Sequence, residues 1–98
     1  MKEICFRSNM TRYLNHCKYE KGLDSNTLKA YRIDLIQFCV YSEQANTDNQ
    51  NKNLQNYIVF LHSKYKIKTV KRKIASVKAF YNYLECQEII SENPFSKL

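Results

Sequence analysis

Apolar side chains recur every three or four positions along most of the chain, and this spacing predicts four α-helices and no β-strand. The predicted helices cover residues 4–21, 24–43, 53–65 and 68–87. The third helix shows the pattern clearly, because Leu54, Ile58, Leu61 and Tyr65 fall on one face. The fold class expected from the pattern is therefore all-α, a four-helix bundle.

The fourth predicted helix has the sharpest division between an apolar and a polar face. At 100° per residue its apolar positions fall within about 80° of arc, and they are Val70, Ile74, Val77, Tyr81 and Leu84. The opposite face carries Lys68, Arg72, Ala75, Ser76 and Ala79. This outer face is basic at its start and has small side chains along its middle, which permits the close approach of another surface. We expect it to be a binding face.

Individual residues mark the predicted helix boundaries. Gly22 suits the position after the first helix, where a positive φ is unstrained only for glycine. The carboxylate of Asp24 can accept hydrogen bonds from the first turn of the second helix. The polar segment 45–53 is the predicted linker, because Asn and Asp side chains compete with helical hydrogen bonds. Asn93-Pro94 stops further helix at the other end of the chain.

Composition narrows the class of protein. The 98 residues include one glycine and one proline, too few for the tight turns of a β-sandwich or barrel and too few for a glycine-rich phosphate loop. No apolar run reaches the roughly 18 residues of a membrane helix, and the N-terminus lacks the apolar region of a signal peptide. We expect one small domain, residues 1–98, in the cytoplasm and with no membrane partner.

Positive charge is concentrated in one segment. Residues 64–78 contain seven Lys and Arg side chains and no acidic one, whereas the rest of the chain carries nine basic and nine acidic groups. A basic segment on an otherwise neutral body favours a polyanion as partner. The alternative is a lysine-rich helix face that is merely solvated.

Cysteine and histidine form no recognisable metal-binding pattern. The candidates are Cys5, Cys17, Cys39, Cys86, His16 and His62, and no C-x-x-C occurs among them. We expect no metal and no cofactor. Two disulfides remain an alternative, but Cys17 and Cys39 fall on predicted apolar faces, which favours buried free thiols.

Two segments resemble the tyrosine recombinases, the family of phage integrases and their Xer relatives. Residues 20–35, E-K-G-L-D-S-N-T-L-K-A-Y-R-I-D-L, are similar to the family pattern ERGLS-x-x-TL-x-x-Y-x-x-DL, and residues 69–84, T-V-K-R-K-I-A-S-V-K-A-F-Y-N-Y-L, are similar to its later helix. Asn93-Pro94 follows, as in the family. Asp24 stands where the family usually has Ser, and the approach to Thr69 is about one residue shorter than usual.

The resemblance implies a SAM-like four-helix bundle, the N-terminal core-binding domain of the family. Such a domain clamps double-stranded DNA at a recombination site, touches other recombinase protomers, and works beside its own C-terminal catalytic domain. The family's H-x-x-R pair is absent, because Tyr19 and Tyr65 stand three residues after His16 and His62. We therefore expect no catalytic residue and no enzyme activity in this chain, and a catalytic domain after residue 98 in a parent recombinase that breaks and rejoins DNA.

The candidate DNA contacts lie on two helices. The first set, on the fourth helix, is Lys68, Thr69, Lys71, Arg72, Lys73 and Ser76. The second set, on the second helix, is Asn26, Thr27, Lys29 and Arg32. Lysines are expected to bind phosphates, which provides affinity without sequence preference. Arg72 is the candidate to contact a guanine edge, because its planar fork can donate two parallel hydrogen bonds.

Two other functions remain open from the residues. One is a SAM-like protein-interaction module, with Phe6 and Met10 of the first helix packing on a neighbouring protomer. The other is a stand-alone helical DNA-binding regulator, which the long linker disfavours because a helix-turn-helix needs a turn of about 3–4 residues. The abundance of Lys, Asn, Ile and Tyr favours AT-rich coding DNA, hence a low-GC bacterium, its phage or a mobile element.

Overall fold

The computed structural model describes residues 6–45 and 50–97, and these residues form four α-helices followed by a short 3-10 helix. The α-helices are α1 (Phe6–Tyr19), α2 (Ser25–Gln44), α3 (Gln50–Lys64) and α4 (Ile67–Cys86), and the 3-10 helix is Pro94–Lys97. No strand occurs in these two ranges. The predicted all-α four-helix fold is confirmed. The main difference is that α3 begins three residues earlier than predicted, and residues 46–49 of the predicted linker lie outside the described part of the chain.

All four α-helices contribute to one core. Its buried side chains are Met10, Tyr13, Cys17, Leu35, Phe38, Leu54, Tyr57, Leu61, Val70, Val77, Phe80, Tyr81 and Leu84. Aromatic rings join the helices in pairs, with ring centroids 5.5 Å apart for Tyr13 and Phe80 and 5.0 Å apart for Phe38 and Tyr57. Tilted and edge-on ring contacts of this kind add to the stabilisation from burial.

Some of the residues that begin and end the helices were predicted from the sequence, and others were not. Asp24 caps α2, since its Oδ1 accepts a hydrogen bond from the Thr27 amide at 2.9 Å, and Gly22 has φ +64°, as predicted. Glu88, two residues after the end of α4, has a φ of 58° without being glycine. The Ile89 amide then donates to the carbonyl of Leu84 at 2.9 Å, which closes the last turn. This return places Ile89 and Ile90 against the core.

The buried face of α4 is rotated relative to the prediction. Ile74 is only partly buried, whereas Lys73, Ser76 and Phe80 are buried. The predicted position of Ser76 on the outer face is wrong, and Lys73 is not exposed either. The reason is that Phe80 belongs to the core, so the centre of the buried face lies closer to Lys73. The charge of Lys73 is compensated by the carboxylate of Asp34 on α2.

Met10 of α1 does not provide the surface expected for a protein partner. Met10 is only 7% exposed and belongs to the core. It is therefore unavailable for a neighbouring protomer, because the other three helices already pack around the core that it joins. The Phe6 side chain lies outside the described residues.

Three of the cysteines are described, and within the described ranges none of the three is joined in a disulfide. Cys17 and Cys39 are buried, in agreement with their predicted apolar positions, and Cys86 is exposed. Cys5 lies outside the described residues. None of the helices in the described ranges combines the length and apolar character that a membrane span requires.

A side-chain hydrogen bond joins the two helices on either side of the predicted linker. Asn53 of α3 donates through Nδ2 to the Ser42 hydroxyl of α2 at 2.9 Å, and Asn53 is 7% exposed. Tyr41 and Tyr57 reinforce this contact with ring centroids 5.0 Å apart. The end of α2 is thus attached directly to the start of α3.

Candidate nucleic-acid interface

The basic segment 64–78 runs from the last residue of α3, across the turn, to just beyond the middle of α4. Six of its seven basic side chains are exposed, namely Lys64, Lys66, Lys68, Lys71, Arg72 and Lys78. Lys73 is the buried exception. The segment contains no acidic residue, so its exposed side chains give this part of the surface a positive charge.

The start of α4 adds to this positive potential. Lys66 occupies the N-cap position and makes no side-chain capping hydrogen bond, and the first turn contains no acidic residue. The amide groups of a helix N-terminus carry a partial positive charge. Thr69, in this first turn, is half-buried. α2 differs from α4 at this point, because the carboxylate of Asp24 caps it.

A buried carboxylate of α2 lies beneath the basic surface. Asp34 is only 1% exposed, and its Oδ1 accepts hydrogen bonds from Arg72 Nη2 at 3.0 Å and from Lys73 Nζ at 3.1 Å. Its Oδ2 accepts a hydrogen bond from the Ser76 hydroxyl at 2.9 Å. Three polar side chains of α4 thus donate to one carboxylate. A buried charge of this kind requires such partners. We call Asp34, Arg72, Lys73 and Ser76 the Asp34 cluster.

The Asp34 cluster extends to the junction of α3 and α4. Lys73 Nζ also donates to Gln37 Oε1 at 2.6 Å and lies 5.1 Å from the centre of the Tyr65 ring. Gln37 Nε2 in turn donates to the Tyr65 hydroxyl at 2.8 Å. These contacts fix the first half of α4 relative to α2 and to the end of α3.

Arg72 differs from its neighbours in the cluster because it is both bonded and exposed. Its side chain is 55% exposed, whereas those of Asp34 and Lys73 are 1% and 7% exposed. Two cations face one carboxylate, so the cluster keeps a net positive charge. Arg72 can therefore attract an anion at the surface while one of its nitrogens is held from below.

The second predicted set lies on the first half of α2. Asn26, Lys29 and Arg32 are exposed, and Thr27 is half-buried with its backbone amide bound to Asp24. In the part of the chain that the structure describes, the exposed three make no hydrogen bond or ion pair with α4. The structure therefore joins Arg72, Lys73 and Ser76 into one cluster and leaves the α2 set separate from it.

Asp34 is not among the residues predicted to form the site, and neither are Gln37 and Tyr65. One signal for Asp34 was present in the sequence: it stands directly beside Leu35 on the helix and one turn from Phe38, both of them core residues. A carboxylate at the border of an apolar stripe needs a cation from another element. The spacing of residues on α2 alone does not show that α4 supplies it.

Candidate metal ligands do not gather in the described ranges: no group of three or more His, Cys, Asp or Glu side chains is placed to hold a metal ion. The chemistry of the site is that of exposed cations and hydrogen-bond donors.

Known proteins similar to this chain point to one family. Residues 10–88 match the family model described as phage integrase, N-terminal SAM-like domain. A tyrosine recombinase of Agathobacter rectalis is 48% identical over 94% of this chain, and the tyrosine recombinases XerC of Herpetosiphon aurantiacus and Staphylococcus saprophyticus are 33% and 39% identical over 94% and 88% of it. This chain spans 30%, 32% and 30% of the length of these relatives. No solved structure matches it.

The four-helix architecture agrees with this match, which covers α1 from Met10 to the end of α4. The chain therefore belongs to the family of phage integrase N-terminal SAM-like domains.

Proposed function

We propose that this chain binds double-stranded DNA as the N-terminal, core-binding domain of a tyrosine recombinase. The observation that carries the proposal is the exposure of six of the seven basic side chains in residues 64–78, with no acidic side chain among them. Lysine and arginine side chains on one face neutralise phosphates and release counterions from the duplex. The family names of the relatives are consistent with a role in DNA recombination.

The exposed residues of α4 are the proposed primary contacts. Lys68 and Lys71 bind phosphates, and Thr69 adds a hydroxyl at the helix start. Arg72 contacts a base edge, because its half-exposed guanidinium is already oriented by Asp34. Lys73 and Ser76 are removed from the set of direct contacts, since both side chains are buried in the Asp34 cluster.

A second contact surface is proposed on α2. Asn26, Lys29 and Arg32 are exposed there, and Thr27 lies at the helix start. Lys29 and Arg32 provide charge for the phosphates, while the amide of Asn26 can donate to or accept from a base. Because the Asp34 cluster fixes α2 against α4, both surfaces belong to one rigid unit.

The wider role follows from the relatives and is part of the proposal. The chain spans about a third of their length, and they are named tyrosine recombinases. We propose that strand breakage and rejoining belong to a separate catalytic domain, which together with this domain encircles the duplex. Other protomers of the recombinase on the same DNA are the further partners, in the bacterial cytoplasm.

The test is a titration of a labelled duplex of about 30 base pairs with this 98-residue chain, at about 50 and 200 mM salt. The expected result is a binding constant that falls by at least tenfold between the two conditions, because neutralised phosphates release counterions. A pair of double variants gives the control for charge. Lys68→Ala/Lys71→Ala is expected to weaken binding, and Lys18→Ala/Lys21→Ala, which removes the same charge from exposed positions outside the segment, is expected to weaken it less.

Binding that is independent of salt would contradict the proposal. An equal loss of DNA affinity in the two double variants would also contradict it, because the lysines of α4 would then contribute no more to binding than other exposed lysines. An absence of binding at both salt concentrations would favour the protein-interaction alternative.

A further inference from the structure

We propose that Asp34 is a positioning residue for DNA sequence discrimination, although its carboxylate never reaches the surface. It acts by holding the guanidinium of Arg72 in one orientation. This inference rests on the proposed DNA-binding function and names the group that makes one contact of that surface selective.

The first step is that Asp34 itself is fixed. Its carboxylate is 1% exposed, and each oxygen has a donor from α4: Arg72 and Lys73 at Oδ1, and Ser76 at Oδ2. Lys73 is held in turn by Gln37, at 2.6 Å. A carboxylate with partners on both oxygens cannot rotate without breaking a buried hydrogen bond.

The second step is that Asp34 holds only one side of Arg72. The contact is to Nη2, and the side chain remains 55% exposed. In the described ranges, Asp34 is the only residue with a hydrogen bond to the Arg72 side chain. The remaining N–H groups of the fork can therefore be directed at an external acceptor.

The third step concerns what orientation contributes to recognition. A phosphate accepts a cation from many directions, so an untethered arginine serves it almost as well as a tethered one. Two parallel hydrogen bonds to a guanine edge need the plane of the guanidinium in one position. Fixing that plane before binding removes part of the entropic cost of ordering the side chain. Loss of Asp34 should thus affect base discrimination more than general affinity for DNA.

The fourth step is the charge balance. A carboxylate paired with Arg72 alone would cancel the charge that attracts DNA. Lys73 supplies a second cation to the same oxygen, and the cluster stays net positive. Arg72 is therefore oriented without being neutralised.

The experiment measures a ratio of affinities rather than one affinity. A pool of randomised duplexes is enriched with the wild-type chain, and each variant is then titrated with one enriched duplex and one scrambled duplex of the same composition. Asp34→Asn is expected to lower the ratio of the two affinities by roughly 2- to 10-fold, the range expected for ordering one long side chain. Its affinity for the scrambled duplex should be unchanged or slightly higher, since a negative charge has been removed.

Two variants separate positioning from folding. Ser76→Ala removes the donor to Oδ2 of the same buried carboxylate but leaves Arg72 and Lys73 on Oδ1, so it is expected to lower the ratio less than Asp34→Asn does. Asp34→Asn leaves the Lys73 ammonium buried without its charge partner, which destabilises the fold, so a companion change is tested as well. Asp34→Asn/Lys73→Met removes both charges and is expected to show the same loss of ratio as Asp34→Asn. Thermal melting curves identify a temperature at which every variant is folded, and the titrations are done there.

The decisive control is the Arg72→Ala background. If Asp34 acts through Arg72, adding Asp34→Asn to Arg72→Ala changes the ratio no further. A wild-type ratio in both Asp34 variants would overturn the proposal, as would an equal loss in Ser76→Ala or an undiminished effect in the Arg72→Ala background. Wild-type chain that binds duplexes but enriches no sequence would also overturn it, whereas wild-type chain that binds no duplex would refute the proposed function itself.

Discussion

Lys71 and Lys73 stand two residues apart on α4 and lie in opposite environments. Lys71 is exposed, whereas Lys73 is 5% exposed and directs its ammonium group at the buried carboxylate of Asp34, 3.1 Å away. The two side chains are chemically identical, so any difference between equivalent substitutions reports their surroundings alone.

We expect Lys71→Met and Lys73→Met to separate DNA binding from stability. Lys71→Met should leave the melting temperature within a few degrees and reduce the slope of log affinity against log salt by about one, since one phosphate contact is lost. Lys73→Met should lower the free energy of unfolding by about 1–3 kcal/mol, because buried hydrogen bonds to a charged group disappear. It should change the salt slope less than Lys71→Met does, because Lys73 is buried and contributes only its charge to the cluster. Urea denaturation and duplex titrations on both variants provide the measurement. Identical behaviour of the two would mean that Lys73 is not buried in solution.

Leu84 and Ile74 of α4 are expected to differ in their contribution to stability. Leu84 is fully buried, and Leu84→Ala should cost about 2–5 kcal/mol through lost burial and the cavity that remains. Ile74 is partly buried at the edge of the core, so Ile74→Ala should cost less than about 2 kcal/mol. Denaturant unfolding curves compare the two directly. A larger loss for Ile74→Ala would place the buried face of α4 where the sequence alone predicts it.

Removing the hydroxyl of Tyr57 should leave stability unchanged or raise it. In the described part of the chain this hydroxyl is buried without a hydrogen-bond partner, and such a group carries a desolvation penalty of about 1–3 kcal/mol. Tyr65→Phe is the matched control, because the Tyr65 hydroxyl accepts a hydrogen bond from Gln37 and its loss should destabilise the fold. The two stability changes need not be equal in size. The prediction fails if Tyr57→Phe is the more destabilising of the two.

The fold should lose stability in alkaline solution. Burial raises the pKa of Tyr13, Tyr57 and Tyr81 above the value of about 10 that an exposed phenol has. The folded chain thus keeps protons that the unfolded chain releases, so this stabilisation is complete below about pH 10 and is lost as the pH rises further. Each tyrosine contributes a slope of up to about 1.4 kcal/mol per pH unit. Urea midpoints between pH 8 and 11.5 measure it, and Tyr57→Phe should give a shallower decline. Parallel curves for the variant and the wild type would contradict this explanation.

Local signals in the sequence predicted most of the helical framework. Spacing of apolar residues placed all four α-helices, and the Gly22 turn and Asp24 cap follow from backbone and side-chain properties of single residues. The left-handed conformation of Glu88 was not predictable in this way. It results from packing Ile89 and Ile90 back against the core, and nothing in the glutamate itself favours it.

The candidate site was less predictable than the fold because a long-range pair controls it. A run such as Lys71-Arg72-Lys73 is usually solvent-exposed, and the compensation of Lys73 requires Asp34, which lies on another helix. Helical spacing gives the face of a residue within its own helix but not the charge of the facing helix. The exposed lysines and Arg72 were identified correctly as surface residues, while the buried members of the Asp34 cluster needed the structure.

The hydrogen bond between Ser42 and Asn53 has a consequence for protein engineering. At this point the side chains of α2 and α3 hold the two helices together, in addition to the segment that connects them. Each doubling of a flexible connection costs only about 0.6 kcal/mol, so a longer segment is tolerated there. A fluorescent reporter domain inserted between residues 45 and 50 is therefore expected to leave the cationic face of α4 intact, and its signal would report whether the chain binds a duplex.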